Sequence, residues 1–93
     1  MTKKACASFE IINSRGLHAR PASMFVQESS RFSASVTVEN ETSGDSADGK
    51  SLMSMLMLAA SCGTKLKITA EGSDADEALG VLGSLISKGF DEE

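Results

Sequence analysis

Three short stretches of the chain alternate apolar and polar residues with a period of two, and stretches with a helical period separate them. Ala5–Ile12 sets Phe9 and Ile11 on one side and Ser8 and Glu10 on the other. Ser33–Glu39 sets Ala34, Val36 and Val38 on one side, and Lys65–Glu71 opposes Leu66, Ile68 and Ala70 to Lys67 and Thr69. Such alternation describes a strand with one apolar face, and that face has to be covered by another layer. The covering elements are legible too. Pro21–Arg31 repeats Ala22, Phe25, Val26 and Ser29 on one helical face. Ser51–Ala60 is apolar almost all round, and its Met and Leu content favours helix. A last stripe carries Ala75, Ala78, Leu79, Leu82, Leu85 and Ile86.

The punctuation agrees with these elements. Asn13-Ser14-Arg15-Gly16 is a turn, and Asn40–Gly49 is a polar loop with a short irregular strand near Asp45–Ala47. Ser61-Cys62-Gly63 ends the second helix, with Gly63 as its left-handed cap. Ser73 or Asp74 caps the third, and Gly89 closes it. The expected order is βαββαβα. The expected fold is α+β: an open-faced two-layer sandwich, a mainly antiparallel four-stranded sheet with three helices on one face. At 93 residues the chain is expected to form a single domain, 1–93. Its core must be aliphatic and Met-rich, because four Phe are the only aromatics.

Composition excludes several function classes. The net charge of −4 argues against general nucleic-acid binding. No apolar run approaches a membrane span, and Met1–Lys4 followed by Ala5–Ile12 does not read as a signal peptide. Two cysteines, Cys6 and Cys62, are too few for a secreted scaffold, so free thiols in the cytoplasm are expected. With a single histidine, the ligand-like spacing a metal site needs is missing. Charge is unevenly spread: Lys3, Lys4, Arg15, Arg20 and Arg31 lie in the first 38 residues, and acids gather at Glu39–Asp48 and Asp91–Glu93. The end of the molecule near His18 is therefore expected to be locally basic.

His18 lies two residues after a turn glycine and three before Pro21, which belongs in a first helical turn. The preference of a residue before proline for extended dihedrals suggests that His18–Arg20 wraps the helix N-terminus. A helix N-terminus offers unpaired N–H groups and positive potential to an anion. Imidazole is a nucleophile near neutral pH, its unperturbed pKa being ~6.5, and Arg20 adds a permanent cation that can fork onto phosphoryl oxygens. These are the positioning and charge-stabilising elements that phosphoryl transfer needs. Read from spacing alone, a solvated His beside an exposed Arg fits equally well.

The wording of the segment decides between them. Gly16-Leu17-His18-Ala19-Arg20-Pro21-Ala22 resembles the active-site signature of HPr, the histidine-containing phosphocarrier family of the phosphotransferase system. Asp48-Gly49-Lys50-Ser51-Leu52-Met53, continuing into Leu56-Met57-Leu58, resembles the family's regulatory-serine helix. The resemblance implies that enzyme I, charged by phosphoenolpyruvate, passes a phosphoryl group to Nδ1 of His18, and that enzyme IIA domains take it. Arg20 would stabilise the phosphohistidine, with Ala19 and Pro21 shaping the helix N-terminus. It also implies a monomeric, cofactor-free cytoplasmic carrier that turns over no small molecule by itself. In some members an HPr kinase/phosphorylase acts on the serine that Ser51 matches, although Ser51 is equally placed to be a helix N-cap. Leu52, Met53 and Leu56 match the family's partner-docking helix, while Met55 and Leu58 are expected in the core. The nitrogen-related branch, NPr, shares the pattern. A regulator that works mainly through Ser51, or an unrelated small interaction domain, is the other reading. Gln27 and Ser54 stand where several members carry lysine, and the Asn40–Gly49 loop is longer and more acidic than usual.

Overall fold

A computed structural model describes residues 3–92. Met1, Thr2 and Glu93, the last of them part of the acidic C-terminal group, lie outside the described residues. The strands are β1 (Lys4–Glu10), β2 (Ser35–Asn40), β3 (Ser46–Asp48) and β4 (Lys65–Glu71). The helices are α1 (Ala19–Ser29), α2 (Leu52–Met57) and α3 (Ala75–Ser87). All strand pairs are antiparallel and the order is β1-β4-β2-β3, so β4 lies between the N-terminal strand and β2. This is the expected open-faced α+β sandwich.

Strand alternation does what the sequence required of it. In β2 and β4 the apolar side chains Val36, Val38, Leu66, Ile68 and Ala70 are buried, and Ser35, Thr37, Lys65 and Lys67 are exposed. The buried face meets Ala22 and Phe25 of α1, Met55 of α2 and Leu82 and Ile86 of α3. Phe25 is wholly buried, which contributes roughly 1.5–3 kcal/mol relative to leaving it in water. Close approach favours glycine where α3 crosses β1: a Cβ on Gly83 would run into the ring of Phe9.

Several boundaries differ from expectation. α1 begins at Ala19, with His18 as N-cap, so Arg20 is helical and Pro21 is the third residue of the helix. The first turn tolerates this because the N–H of the third position has no intrahelical acceptor to lose. The loop before it is pinned by Leu17 N–H to the Ala60 carbonyl (2.8 Å), and the helix closes with Ala22 N–H to His18 O (2.9 Å). At its other end α1 stops at Ser29 instead of Arg31. β1 ends at Glu10, β2 starts at Ser35 and β3 occupies Ser46–Asp48.

α2 is the largest departure, six residues long where ten were expected. Beyond Met57 the carbonyls of Leu58 and Ala60 accept from Asn40 Nδ2 (3.2 Å) and Leu17 N–H (2.8 Å). Ala59 takes φ 50 to make the exit, a left-handed conformation that costs roughly 1–2 kcal/mol for a non-glycine. Ala59 therefore reverses the chain, and Gly63 caps nothing: its N–H bonds Ile11 O in the turn before β4.

Asp74 is the N-cap residue of α3, yet its side chain makes no capping bond to that helix. The carboxylate instead accepts from the backbone N–H groups of Ser33 (2.9 Å) and Ala34 (2.8 Å), tying α3 to the start of β2. Those bonds hold its pKa below the ordinary aspartate value, against the opposing effect of burial. Gly89 closes α3 as expected, with φ 66. No helix among the described residues is long and apolar enough to cross a membrane.

Candidate functional site

His18 caps α1 with extended backbone (φ −84, ψ −168), and its imidazole is not spent on a capping bond. The N–H groups of Ala19 and Arg20 precede the first intrahelical donor, so they face outward at the positive end of the helix. Pro21 contributes no N–H and is buried, fixing the start of the helix. The imidazole is 32% exposed, open enough to be reached by another molecule.

Glu92 faces this ring from the far end of the chain. Both of its carboxylate oxygens lie 3.1 Å from His18 Nε2. Asn13, wholly buried, donates from Nδ2 to Glu92 Oε1 (3.0 Å) and to Gly16 O (2.7 Å). The hydrogen bond from His18 lowers the Glu92 pKa most, opposed by desolvation and reinforced by the Asn13 hydrogen bond and by electrostatic attraction to His18 and Arg20. Glu92 is therefore ionised at neutral pH. An ionised carboxylate only accepts hydrogen bonds, so Nε2 donates its proton to Glu92.

Beside the ring is a cleft of about 290 Å³ lined by Ser14, Arg15, Arg20, Asp91 and Glu92. This corrects the expectation of a basic end: the C-terminal acids fold back onto the two arginines. Sequence position hid this, because 74 residues separate His18 from Glu92. Asn13 was legible only as a turn residue and Glu92 only as bulk acid. Nothing local to either residue signals that the chain end returns to His18.

The other expected residues lie on α2. Ser51 is its N-cap, and its Oγ accepts from Ser54 N–H at 3.2 Å. Leu52, Met53 and Leu56 are exposed, Met53 to 70%, while Met55 and Leu58 are buried. Met57, 75% exposed, extends the same apolar surface and was not anticipated. The exit of α2 lies directly against the His18 loop, since a Cβ on Gly16 would sit 2.5 Å from Ala60 O. Cys6 and Cys62 are both exposed free thiols.

A reachable imidazole at a helix N-terminus, close in sequence to a guanidinium on an open-faced α+β sandwich, is the arrangement of the class the sequence resembles, the small histidine phosphocarriers. The family described as the PTS HPr component phosphorylation site matches residues 6–88. The chain is 46% identical to phosphocarrier protein HPr of Pseudomonas aeruginosa over 82 residues, 88% of this chain and 90% of that protein. The crystal structure of HPr-C-His from Thermoanaerobacter tengcongensis superposes with a TM-score of 0.89 at 42% identity, covering 96% of this chain and 98% of that one. The multiphosphoryl transfer protein of Escherichia coli O157:H7 is 40% identical over 87 residues, and there the match spans only 23% of the relative's length. The chain belongs to the HPr family, the phosphocarriers of the phosphotransferase system.

Proposed function

We propose that the chain carries a phosphoryl group as phosphohistidine at His18, between enzyme I charged by phosphoenolpyruvate and enzyme IIA domains of the cytoplasm. One observation carries the reading: an exposed imidazole stands at the N-terminus of α1 with the backbone N–H groups of Ala19 and Arg20 unspent beside it. Those donors and the Arg20 guanidinium stabilise the charge of a phosphoryl group attached to the ring. The chain turns over no small molecule; it hands the group from one protein to the next. Leu52, Met53 and Leu56 supply a deformable apolar surface that suits successive partners.

The test is incubation with phosphoenolpyruvate and enzyme I, followed by intact mass before and after acid, with His18→Ala in parallel. One added phosphoryl group, lost in acid and absent from the variant, is the expected result. Labelling by a nitrogen-type enzyme I alone would assign the chain to that branch. Failure with both donors would sink the reading.

Ser51 supports a regulatory addition. It adjoins the exposed Leu52 and Met53, so a phosphate of roughly −2 charge there would set a strongly hydrated anion beside the apolar docking surface. Treatment with HPr kinase is expected to label wild type and spare Ser51→Ala, and the phosphoserine form is expected to accept the His18 phosphoryl group more slowly.

A further inference from the structure

Glu92 reaches His18 by an unusual route. After α3 the backbone runs through three consecutive left-handed residues: Gly89 (φ 66), Phe90 (φ 56) and Asp91 (φ 60). Two of these carry side chains, for which that region is unfavourable. The conformation is held by burial of Phe90 in the core and by Glu92 N–H to Gly89 O at 2.9 Å. Its effect is to turn the chain back and set Glu92 over the imidazole. Strained backbone maintained at a reactive group is a pointer to function.

Asn13 supplies the second observation. Its side chain is wholly buried and both of its bonds are made from Nδ2, to Gly16 O and Glu92 Oε1. Its Oδ1 is buried with no partner among the described residues. A buried amide is normally satisfied on both sides. This one leaves its oxygen unpaired while its nitrogen holds the carboxylate that holds the histidine.

We propose that Asn13 and Glu92 are positioning residues that set the tautomer of His18: Asn13 fixes the carboxylate, the carboxylate keeps the proton on Nε2, and Nδ1 is left with its lone pair. The inference rests on the reading of His18 as the phosphoryl acceptor and deepens it. In the transfer the Nδ1 lone pair forms the N–P bond, and the bond from phosphorus to the donor's leaving atom breaks with its electron pair staying on the donor. The Nε2 proton remains in place, and the ring, now cationic, is matched by Glu92 at 3.1 Å. The opposite tautomer would present an N–H at Nδ1 and could not attack. Orientation of a histidine by a hydrogen bond at its other nitrogen is a general device.

The test reads the tautomer directly. His18 is the single histidine, so ring-15N-histidine labelling of the full chain gives one set of signals. Spectra are taken at a pH where imidazole is neutral, with no phosphoryl donor present. Wild type is expected to be dominated by the Nε2–H form. Glu92→Gln, whose amide can donate back to Nε2, is expected to raise the Nδ1–H to Nε2–H ratio about threefold or more, a modest net hydrogen-bond effect. Asn13→Ala is expected to move it the same way, with backbone amide spectra reporting whether that variant folds. Because Glu92 lies outside the strands and helices, Glu92→Gln keeps the test decisive if Asn13→Ala does not fold. An unchanged ratio in Glu92→Gln overturns the proposal. A shifted ratio in a protein that no donor labels would leave the tautomer effect standing and remove the phosphocarrier reading of His18.

Discussion

Replacing Gly16 by alanine tests the joint between the His18 loop and the exit of α2. Gly16 has φ 69, so any Cβ there enters the left-handed region, at roughly 1–2 kcal/mol. That Cβ would also lie 2.5 Å from Ala60 O and 2.8 Å from Ser61 Cα, both backbone atoms that cannot rotate away. The two loops must separate, and the bond that joins them, Leu17 N–H to Ala60 O at 2.8 Å, is the one in the way. Overpacking of this kind costs roughly 1–3 kcal/mol, so the expected total is about 2–5 kcal/mol. For a domain of this size that corresponds to a fall in Tm of about 10 °C or more. Gly44→Ala is the internal control: its φ is 82, but a Cβ there meets nothing within 4 Å. It should lose only the left-handed cost, about 1–2 kcal/mol. Urea unfolding followed by circular dichroism measures both. Because the loop carries His18, Gly16→Ala should also accept phosphoryl groups more slowly under conditions where it remains folded. Stability losses for the two variants that agree within about 0.5 kcal/mol would refute the claim that the Gly16–Ala60 approach constrains this site.

Gly80→Ala should stabilise the protein by about 0.5–1 kcal/mol, since Gly80 is inside α3 with nothing within 4 Å of its Cβ position; a raised urea midpoint checks it. Ser51→Ala should lose about 1 kcal/mol with the cap to Ser54 N–H, again read as a midpoint shift. The Asp74 carboxylate has its folded pKa lowered below the ordinary 3.8. Its contribution is therefore complete above that value and is lost as pH falls through the lower folded pKa. Asp74→Asn should lower the midpoint at neutral pH and flatten the decline on acidification, measured by unfolding across that acid range. Met53→Glu changes a side chain that is 70% exposed, so stability should move by no more than about 0.5 kcal/mol; phosphoryl exchange with enzyme I or a IIA domain should slow, as an acceptance assay would show.

How much could be read from the chain depended on the range of the interactions. β4 was legible to the residue because Leu66, Ile68 and Ala70 report their face directly. The stripe of α3 likewise placed Leu82 and Ile86 in the core. α2 was over-extended because Leu58, Ala59 and Ala60 have good helical propensity. The chain leaves the helix at Ala59, whose φ of 50 no local propensity signals, and the carbonyls on either side of it are tied by Asn40 and Leu17, from parts of the chain far away in sequence. Asp74 was assigned to its own helix because capping is local, whereas its actual partners lie 40 and 41 residues away. The local half of the His18 site, Gly16 to Ala22, was explicit in the sequence. The other half, Asn13 and Glu92, depends on where a left-handed turn aims the chain end, and no periodicity encodes that.

The position of β4 between β1 and β2 has a consequence for how the chain is made. Lys4 is opposite Glu71 and Glu10 is opposite Lys65, so β1 waits for a strand made only after α1, β2, β3 and α2. A ribosome adding about 5–20 residues per second releases β1, α1 and the β2–β3 hairpin seconds before their shared neighbour exists. A two-stranded hairpin is marginal alone, and β1 meanwhile exposes Phe9 on an unpaired edge. Closure of the sheet thus waits for β4 and is dominated by contacts distant in sequence. A message cut short before Lys65 would yield no smaller carrier, only a strand without a sheet for proteases and chaperones to handle.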